Sequence, residues 1–366
     1  MNGYDAGNTF CNRHEKTLAP PLQQVWEATL GGHLEGVAVS SGIVVVSGSD
    51  RQHKVYGLDA QSGRRLWTFT LPGGGGGAMG MVPACSGDLV FCGGQNDKNI
   101  YAVDLRTGQL RWQQGEVKSM YDASTKVVDG VLYINSNQTG LWALDTRTGA
   151  EKWRDKDPGW QADTAIKGGK LLRPGGAYGG PLVAFDSASG AQSWRRTDGS
   201  TSFRLTATDD LAFVTYSGEM PVEIMEGKEF KRFKYDRIAA FGTRDAKKVW
   251  ETALKEDAHY SGFALLGDAL YVSTRGGSIY CLDAQTGKIR KDRPFQDGWG
   301  RLVAASNVIF ASGQKGVTAL APDTLETLWT APIAGFQPMA VANGRLYVAS
   351  GPRIVTFANK REGKEK

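Results

Sequence analysis

The feature that most constrains this chain is a sequence unit of roughly 40 residues that recurs along its whole length. Its clearest copy, Gly130–Trp153, reads GVLYINSNQTGLWALDTRTGAEKW. The copy contains two short apolar strands, a Thr-Gly turn and a further strand that carries a tryptophan. Short β-branched and aromatic runs separated by Gly, Asn and Asp are typical of antiparallel hairpins. One such unit cannot bury both faces of its small sheet, so it requires neighbouring copies.

The second apolar strand of the unit occurs eight times. The copies are Val55–Asp59, Ile100–Asp104, Leu141–Asp145, Leu182–Asp186, Ile238–Gly242, Ile279–Asp283, Val317–Ala321 and Ile354–Ala358. A tryptophan follows the next turn at Trp67, Trp112, Trp153, Trp194, Trp250 and Trp329, and Lys291 takes its place once. The eighth position of the series is filled by Trp26, at the opposite end of the chain from the last strand. This period, with four strands in each unit, predicts a β-propeller blade.

The sequence therefore predicts an all-β fold, an eight-bladed β-propeller of four-stranded antiparallel blades. The strand around Trp26, Gln23–Thr29, is expected to be the outermost strand of the C-terminal blade. Its partners are predicted at about Pro338–Ala342, Arg345–Ala349 and Ile354–Ala358. Pairing the two ends closes the ring and leaves no free terminal blade edge. We expect residues 1–21 to be an extended lead-in without an element, 22–359 to be one propeller, and 360–366 to be a frayed charged tail.

The composition sets broad limits on partners and compartment. The formal net charge is +5 and no long Lys/Arg run occurs, so no nucleic-acid partner is expected. No apolar run is long enough to span a bilayer. The first residues lack the features of a signal peptide, which favours the cytoplasm; a signal peptide in the natural precursor would instead indicate an extracytoplasmic or periplasmic location. The four cysteines, Cys11, Cys85, Cys92 and Cys281, are expected to be buried free thiols.

Two loops stand out from the repeat. Gly218–Asp236 is a long insertion between the second and third strands of blade 5. It is either a contact surface or an insertion that the loop tolerates. Leu71–Gly80 contains five consecutive glycines, but no Lys-Ser/Thr follows them. A flexible connection between blades is therefore favoured over a phosphate-binding loop.

One alignment register places polar and aromatic residues at one mouth of the central channel. Six residues before the turn that precedes the second strand, the blades carry Gly36, Met81, Ser124, Asp163, Arg204, Gly262, Arg301 and Pro338. With the flanking positions, the candidate binding residues are Tyr121, Asp122, Trp160, Asp163, Arg204, His259, Tyr260, Trp299, Arg301 and Phe336. Convergent polar groups with aromatic walls are typical of a binding site. The alternative is that Asp163 and Arg204 form an ion pair between adjacent blades.

Patterns for catalysis are missing from the sequence. The four histidines show no metal-ligand spacing, and no G-x-S-x-G motif occurs. We therefore predict no catalytic residues and no metal site.

The repeat core, with stretches such as IYAVDLRTGQLRW (Ile100–Trp112) and IYCLDAQTGK (Ile279–Lys288), resembles the PQQ-like repeat, named after quinoprotein alcohol dehydrogenases. The resemblance covers Gln23–Asn359 and implies the same eight-bladed propeller. The quinoprotein dehydrogenases carry a vicinal Cys-Cys pair and a calcium site, and this chain has no Cys-Cys pair. The other branch, which includes BamB-type assembly lipoproteins and kinase sensor domains, binds partners without catalysis. The BamB-type lipoproteins carry a lipobox, which is missing here because Cys11 follows Asn-Thr-Phe.

The resemblance favours a non-enzymatic binding or scaffolding propeller without a cofactor. Its partner would be a protein or a small-molecule ligand that binds at the channel mouth. The alternative is a divergent PQQ-dependent quinoprotein oxidoreductase that uses PQQ with calcium.

Overall fold

We describe the protein from a computed structural model. The structure describes residues 5–6, 9–49, 53–73, 81–94, 98–117, 124–157, 162–176, 179–218, 235–259, 262–295, 300–333 and 338–360. The insertion at 218–236 and the glycine run at 71–80 therefore lie mostly outside the described residues. The described residues form strands, turns and bends, and no helix.

The described residues form thirty-three strands, beginning with β1 (Cys11–Asn12) and β2 (Leu22–Thr29). Blades 1 and 2 consist of β3 (Leu34–Ser40), β4 (Ile43–Gly48), β5 (Lys54–Asp59), β6 (Arg65–Thr70), β7 (Ala84–Ser86), β8 (Leu89–Gly93), β9 (Asn99–Asp104) and β10 (Leu110–Gly115). Blades 3 and 4 consist of β11 (Ser124–Val128), β12 (Val131–Ser136), β13 (Gly140–Asp145), β14 (Glu151–Asp155), β15 (Ala165–Lys167), β16 (Lys170–Arg173), β17 (Leu182–Asp186) and β18 (Gln192–Arg196).

The second half of the chain repeats this order. Blades 5 and 6 consist of β19 (Ser200–Ala207), β20 (Leu211–Ser217), β21 (Arg237–Gly242), β22 (Lys248–Ala253), β23 (Gly262–Leu266), β24 (Ala269–Ser273), β25 (Ser278–Asp283) and β26 (Ile289–Pro294). Blade 7 and the C-terminal part of blade 8 consist of β27 (Leu302–Ala305), β28 (Val308–Ser312), β29 (Val317–Leu320), β30 (Thr327–Ala331), β31 (Met339–Ala342), β32 (Arg345–Ser350) and β33 (Arg353–Asn359).

The eight sheets confirm the predicted eight-bladed propeller. In blades 1 to 7 the strands β3 to β30 pair in chain order from the channel outward, and in every blade we name the four strands A to D in that direction. Blade 8 has the order β2-β33-β32-β31, so the N-terminal strand is its outermost strand, as predicted. In this register Trp26 lies opposite Thr356. We call the side of the disc that carries the D-to-A connections and the B-to-C loops the mouth face, and the opposite side the turn face.

The tryptophans of the repeat join each blade to the next. The indole Nε1 of Trp67 donates a hydrogen bond of 2.8 Å to the carbonyl oxygen of Leu105, beyond the C strand of the next blade. The same bond joins Trp26 to Ala60, Trp112 to Thr146, Trp153 to Ser187, Trp194 to Thr243 and Trp250 to Ala284. Each of these rings except that of Trp194 also packs directly on the turn glycine of the neighbouring blade. The repeat is therefore stabilised by a contact between units as well as within them.

All eight D strands contain a register shift just before the tryptophan position. In blade 3, for example, Ala143 pairs with Trp153 and Leu144 pairs with Glu151, which leaves Lys152 as the extra residue. A bulge bends an edge strand and interrupts its row of backbone donors and acceptors. The outer rim of the propeller is thus a poor template for edge-to-edge association.

The N-terminal lead-in differs from its expected form, because it contains an element and crosses the channel. β1 pairs in parallel with β27 on the inner side of blade 7, where Cys11 lies opposite Ala304. Backbone bonds join Ala6 to Ile166 of blade 4 and Thr9 to Leu265 of blade 6. Blades 4 and 8 are opposite in a ring of eight, so the segment spans the channel. We call residues 5–6 and 9–18 the crossing segment.

Glu15 anchors the crossing segment to the turn face. Its carboxylate accepts hydrogen bonds from the amide N–H groups of Thr17, Leu18 and Gly344, at 2.8, 3.1 and 2.6 Å, and from the Thr17 hydroxyl. Burial alone would raise the pKa of Glu15, but these hydrogen bonds outweigh it and hold the pKa below its usual value. The Asn12 side-chain amide adds a 2.9 Å bond to the Val341 carbonyl. The sequence gives no repeat signal for this segment, so it predicts only an extended lead-in without an element.

The tryptophan contact can be tested with two matched glycines. Gly149 and Gly169 both have positive φ, +74° and +72°, so alanine strains the backbone equally at each. A Cβ at Gly149 would lie 2.7 Å from the Trp112 ring, whereas at Gly169 it would meet nothing within 4 Å. We expect Gly149→Ala to lower the free energy of unfolding by about 1–3 kcal/mol more than Gly169→Ala. Equal losses in denaturant melts would contradict the interlocking role of Trp112.

The anchoring of the crossing segment can be measured through Cys11, which is 1% exposed. Glu15→Ala removes the carboxylate that holds the segment, so we expect alkylation of Cys11 to accelerate about tenfold or more. Lys16→Ala, at the exposed neighbouring position, is the matched control and should leave the rate unchanged. Cys281, also buried, should react slowly in both variants. Equal Cys11 rates in the two variants would show that Glu15 does not hold the segment.

Candidate functional site

The structure describes four of the ten candidate binding residues. Asp163, Arg204, His259 and Arg301 are placed, and their positions follow below. The remaining six, Tyr121, Asp122, Trp160, Tyr260, Trp299 and Phe336, lie outside the described residues. The binding role of the whole set therefore stays a prediction.

Asp163 and Arg204 form the ion pair between blades 4 and 5 that the sequence offered as the structural alternative. The distance from an Arg204 guanidinium nitrogen to an Asp163 carboxylate oxygen is 2.8 Å. The side chains are only 5% and 19% exposed, so solvent screens the pair less than it would at the surface. The pair joins the inner strands of two adjacent blades.

A polar cluster continues from this pair into blade 3. The Ser124 hydroxyl lies 3.1 Å from the Thr164 hydroxyl and accepts a 3.0 Å bond from the Thr164 amide. It also accepts a 3.3 Å bond from the ammonium group of Lys126, which is fully buried. The inner wall of blades 3 to 5 therefore carries Lys126 and Arg204 as cations and Asp163 as an anion.

Lys126 is the residue of this wall whose ionisation is most perturbed. Burial lowers the pKa of Lys126 to about 8, although the carboxylates of Asp163 and Asp5 oppose the shift. Asp5 belongs to the crossing segment, so that segment supplies one of the negative charges that stabilise the ammonium. Titratable groups perturbed in this way are concentrated at functional sites.

The sequence contains a signal for Lys126 that the alignment did not use. Strand residues alternate faces, so the position four residues before the turn shares its face with the Asp163 and Arg204 position. Across the blades this position reads Ala38, Pro83, Lys126, Ala165, Thr206, Ala264, Val303 and Ala340. Lys126 is the one charged residue in that column.

His259 lies between blades 5 and 6 on the mouth face. Its ring packs against Tyr235, with ring centroids 4.8 Å apart. Its amide donates a 2.9 Å bond to the Asp257 carboxylate, and its carbonyl accepts a 2.7 Å bond from the Ser202 hydroxyl. These contacts fix the backbone where the two blades meet. They give His259 the geometry of a packing residue rather than that of a metal ligand.

Arg301 lies on the other side of the channel, in front of β27. Its amide donates to the Ser312 hydroxyl at 3.2 Å, and its carbonyl accepts from the Ser312 amide at 3.0 Å. The residue is half-buried and lines a cavity between blades 7, 8, 1 and 2.

The four cysteines do not form disulfides. Cys85 is half-buried, and the other three are buried. Within the described ranges, no group of three or more His, Cys, Asp or Glu side chains could hold a metal ion. No helix in the same ranges is long and apolar enough to cross a membrane.

The fold and the repeat together define a PQQ-like repeat propeller. The family model described as outer membrane protein assembly factor BamB matches residues 19–220, 234–296 and 291–366. The chain therefore belongs to this family, on the BamB-type branch of the PQQ-like propellers.

Individual relatives agree with this assignment. Outer membrane protein assembly factor BamB of Burkholderia pseudomallei (strain K96243) is 30% identical over 120 residues. That alignment spans 31% of this chain and 31% of the curated relative. The crystal structure of BamB from Moraxella catarrhalis superposes with a TM-score of 0.70 at 19% identity, covering 94% of this chain and all of that one.

A dehydrogenase shares the same fold. Quinohemoprotein alcohol dehydrogenase from Comamonas testosteroni superposes with a TM-score of 0.73 at 14% identity. It covers all of this chain and 81% of the enzyme. At this level of identity the likeness concerns the fold alone.

The cost of burying Lys126 gives a prediction that depends on pH. The pKa in the folded state is about 8 against an ordinary value of 10.5, so the unfolded chain takes up the proton first as pH falls. The free-energy cost of keeping Lys126 buried grows as the pH falls from 10.5 to about 8, and it is complete below about 8. At pH 7 we expect Lys126→Met to raise the free energy of unfolding by up to roughly 3 kcal/mol. Near pH 10.5 the gain in the free energy of unfolding should vanish. If Lys126→Met instead lowered stability at pH 7, the ammonium group would be net stabilising.

Proposed function

We propose that this chain is a non-catalytic scaffold that binds protein components during the assembly of outer-membrane proteins. The observation that carries the proposal is the family match, which extends from residue 19 to residue 366 with one short gap. The family is named for an assembly factor, and we assign that role to this chain because its sequence matches the family. The proposed role requires an extracytoplasmic location.

The mouth face is the surface that we propose for the protein partner. The crossing segment occupies the channel near the turn face, through backbone bonds at Leu265, Ala304 and Ser306. The described candidate residues Asp163, Arg204, His259 and Arg301 lie toward the other end. Arginine and aromatic side chains dominate the binding energy of many protein interfaces. Arg204 and Arg301, with the predicted aromatic residues, are the proposed contacts, and the 218–236 insertion is a secondary one.

A quinoprotein oxidoreductase is the competing function, and the shared fold is what favours it. Under the proposed function, purified chain mixed with PQQ and Ca²⁺ should bind no chromophore and should not reduce an artificial electron acceptor. A bound chromophore together with dye reduction would contradict the scaffold proposal.

Two exposed positions in blade 6 test the choice of face. Arg275 lies in the B-to-C turn on the mouth face, and Gln285 lies in the C-to-D turn on the turn face. A photocrosslinking amino acid at residue 275 should capture a protein partner in cells that natively contain the chain. The same group at residue 285 should capture none, because that face is not proposed to bind. Cross-links from residue 285 alone, from both residues equally or from neither would contradict the assignment.

A further inference from the structure

The turn between β31 and β32 in blade 8 contains a dipeptide that can modify itself. It consists of Asn343 and Gly344, whose φ angles of +54° and +67° are those of a two-residue hairpin turn that favours Asn-Gly. Asn343 is exposed on the turn face. The other Asn-Gly pair of the sequence, Asn2–Gly3, lies outside the described residues. An asparagine cyclises most readily before glycine, because glycine has no Cβ to hinder the approach of its nitrogen.

The reaction requires these two residues and water. The Gly344 backbone nitrogen gives up its proton and attacks Cγ of Asn343, so a new N–C bond closes a succinimide ring. The C–N bond to the side-chain amide group breaks, and that nitrogen takes up a proton and leaves as ammonia. Water then opens the ring to aspartate or isoaspartate. The isoaspartate product has one more carbon in its main chain between residues 343 and 344.

The crossing segment holds the attacking nitrogen through Glu15. The Gly344 amide donates a 2.6 Å hydrogen bond to Oε2 of Glu15, whereas Oε1 accepts the bonds from Thr17 and Leu18. Glu15 is only 5% exposed, so water competes little for this bond. A hydrogen bond from an amide to a carboxylate is stronger than one between neutral groups. It keeps the proton on the nitrogen, and the nearby negative charge disfavours the amide anion that would attack.

The matching turn of blade 3 has the same conformation without the carboxylate. Asp129 and Gly130 join β11 to β12 with φ angles of +49° and +75°, and both are exposed. No side chain in the described part of the chain accepts a bond from the Gly130 amide. The turn therefore forms without such a bond, and in blade 8 the bond is an addition made by the crossing segment.

We propose that Asn343 is a site of succinimide formation that the crossing segment protects through Glu15. The dipeptide persists while Glu15 binds the Gly344 amide, and the nitrogen becomes free to attack when the segment detaches. Isoaspartate displaces that amide by lengthening the main chain, and either product adds a carboxylate next to the residue that Glu15 binds. The modification therefore prevents the segment from binding again. The site lies on the turn face and is independent of the protein-binding role proposed for the mouth face.

The test compares the two turns within one chain. Asp129→Asn gives the blade 3 turn the same dipeptide without a carboxylate at its amide. The full chain is incubated at mildly alkaline pH, and mass spectrometry of the two turn peptides follows the products at residues 129 and 343. We expect residue 129 to react about tenfold or more faster than residue 343. Adding Glu15→Ala should raise residue 343 to the rate of residue 129, whereas adding Lys16→Ala should change neither rate.

Four results would overturn the protection. They are equal rates at the two residues while Glu15 is present, no product at residue 343 in any variant, a rate at residue 343 that Glu15→Ala leaves unchanged or lowers, and an equal acceleration at both residues. The third would mean that Glu15 is neutral or acts as a base, and the fourth would mean a general loosening of the chain.

The effect of the modification on the segment is measured at Cys11, which is 1% exposed. Chain incubated until residue 343 is converted should be alkylated at Cys11 about tenfold faster than fresh chain. Asn343→Gly keeps a residue that tolerates positive φ but cannot form the ring, so the same incubation should leave its Cys11 slow. If converted and fresh chain react at the same rate, the modification does not prevent the segment from binding again, and that part of the proposal is overturned.

Discussion

The contact on which the rest of this structure depends is the docking of a tryptophan from one blade on the turn of the next. The contact has two parts, a hydrogen bond from the indole and a surface on which the ring packs. The indole needs a carbonyl acceptor, which the residue after the C strand supplies at 2.8–3.2 Å in six blades. In five of these six contacts the ring also packs on a turn glycine with positive φ, which offers a surface without a Cβ. A four-stranded blade alone leaves both faces uncovered, so this contact turns a repeat into a closed body.

The N-terminal strand closes the ring through the same kind of tryptophan contact. Trp26 makes its bond to Ala60 of blade 1, so β2 joins blade 8 to blade 1 in the same way as the five other tryptophan bonds join their blades. The crossing segment extends this bracing into the channel, where its backbone and the Glu15 carboxylate contact blades 4, 6, 7 and 8. The crossing segment lies near the turn face, so the two ends of the channel differ. That asymmetry is the physical reason for proposing the mouth face as the working surface.

Much of the fold could be predicted from the sequence because the residues of the repeat are compatible with few alternative structures. The strands ending in Asp, the turn glycine and the tryptophan locate each blade, and the position of Trp26 locates the closure. The crossing segment could not be predicted, because its bonds use backbone groups and the single residues Asn12 and Glu15, which have no period. The site was harder still. The column containing Asp163 and Arg204 is visible in the repeat, whereas Lys126 is the one charged residue of its column, so no repeating pattern marks it. The bulge in β3 between Leu34 and Gly36 also interrupts the alternation of faces in blade 1.

Amide hydrogen exchange of the intact chain tests the central claim, that one ring is closed by β2 and braced blade to blade. If the claim holds, the paired amides of β2 should exchange as slowly as those of β14, an outermost strand in the middle of the chain. The two strands have the same place in their blades and differ only in how far apart in the chain their partners are. Exchange of β2 at the rate of a frayed terminus, with β14 still protected, would contradict the closure and the rigid scaffold built on it.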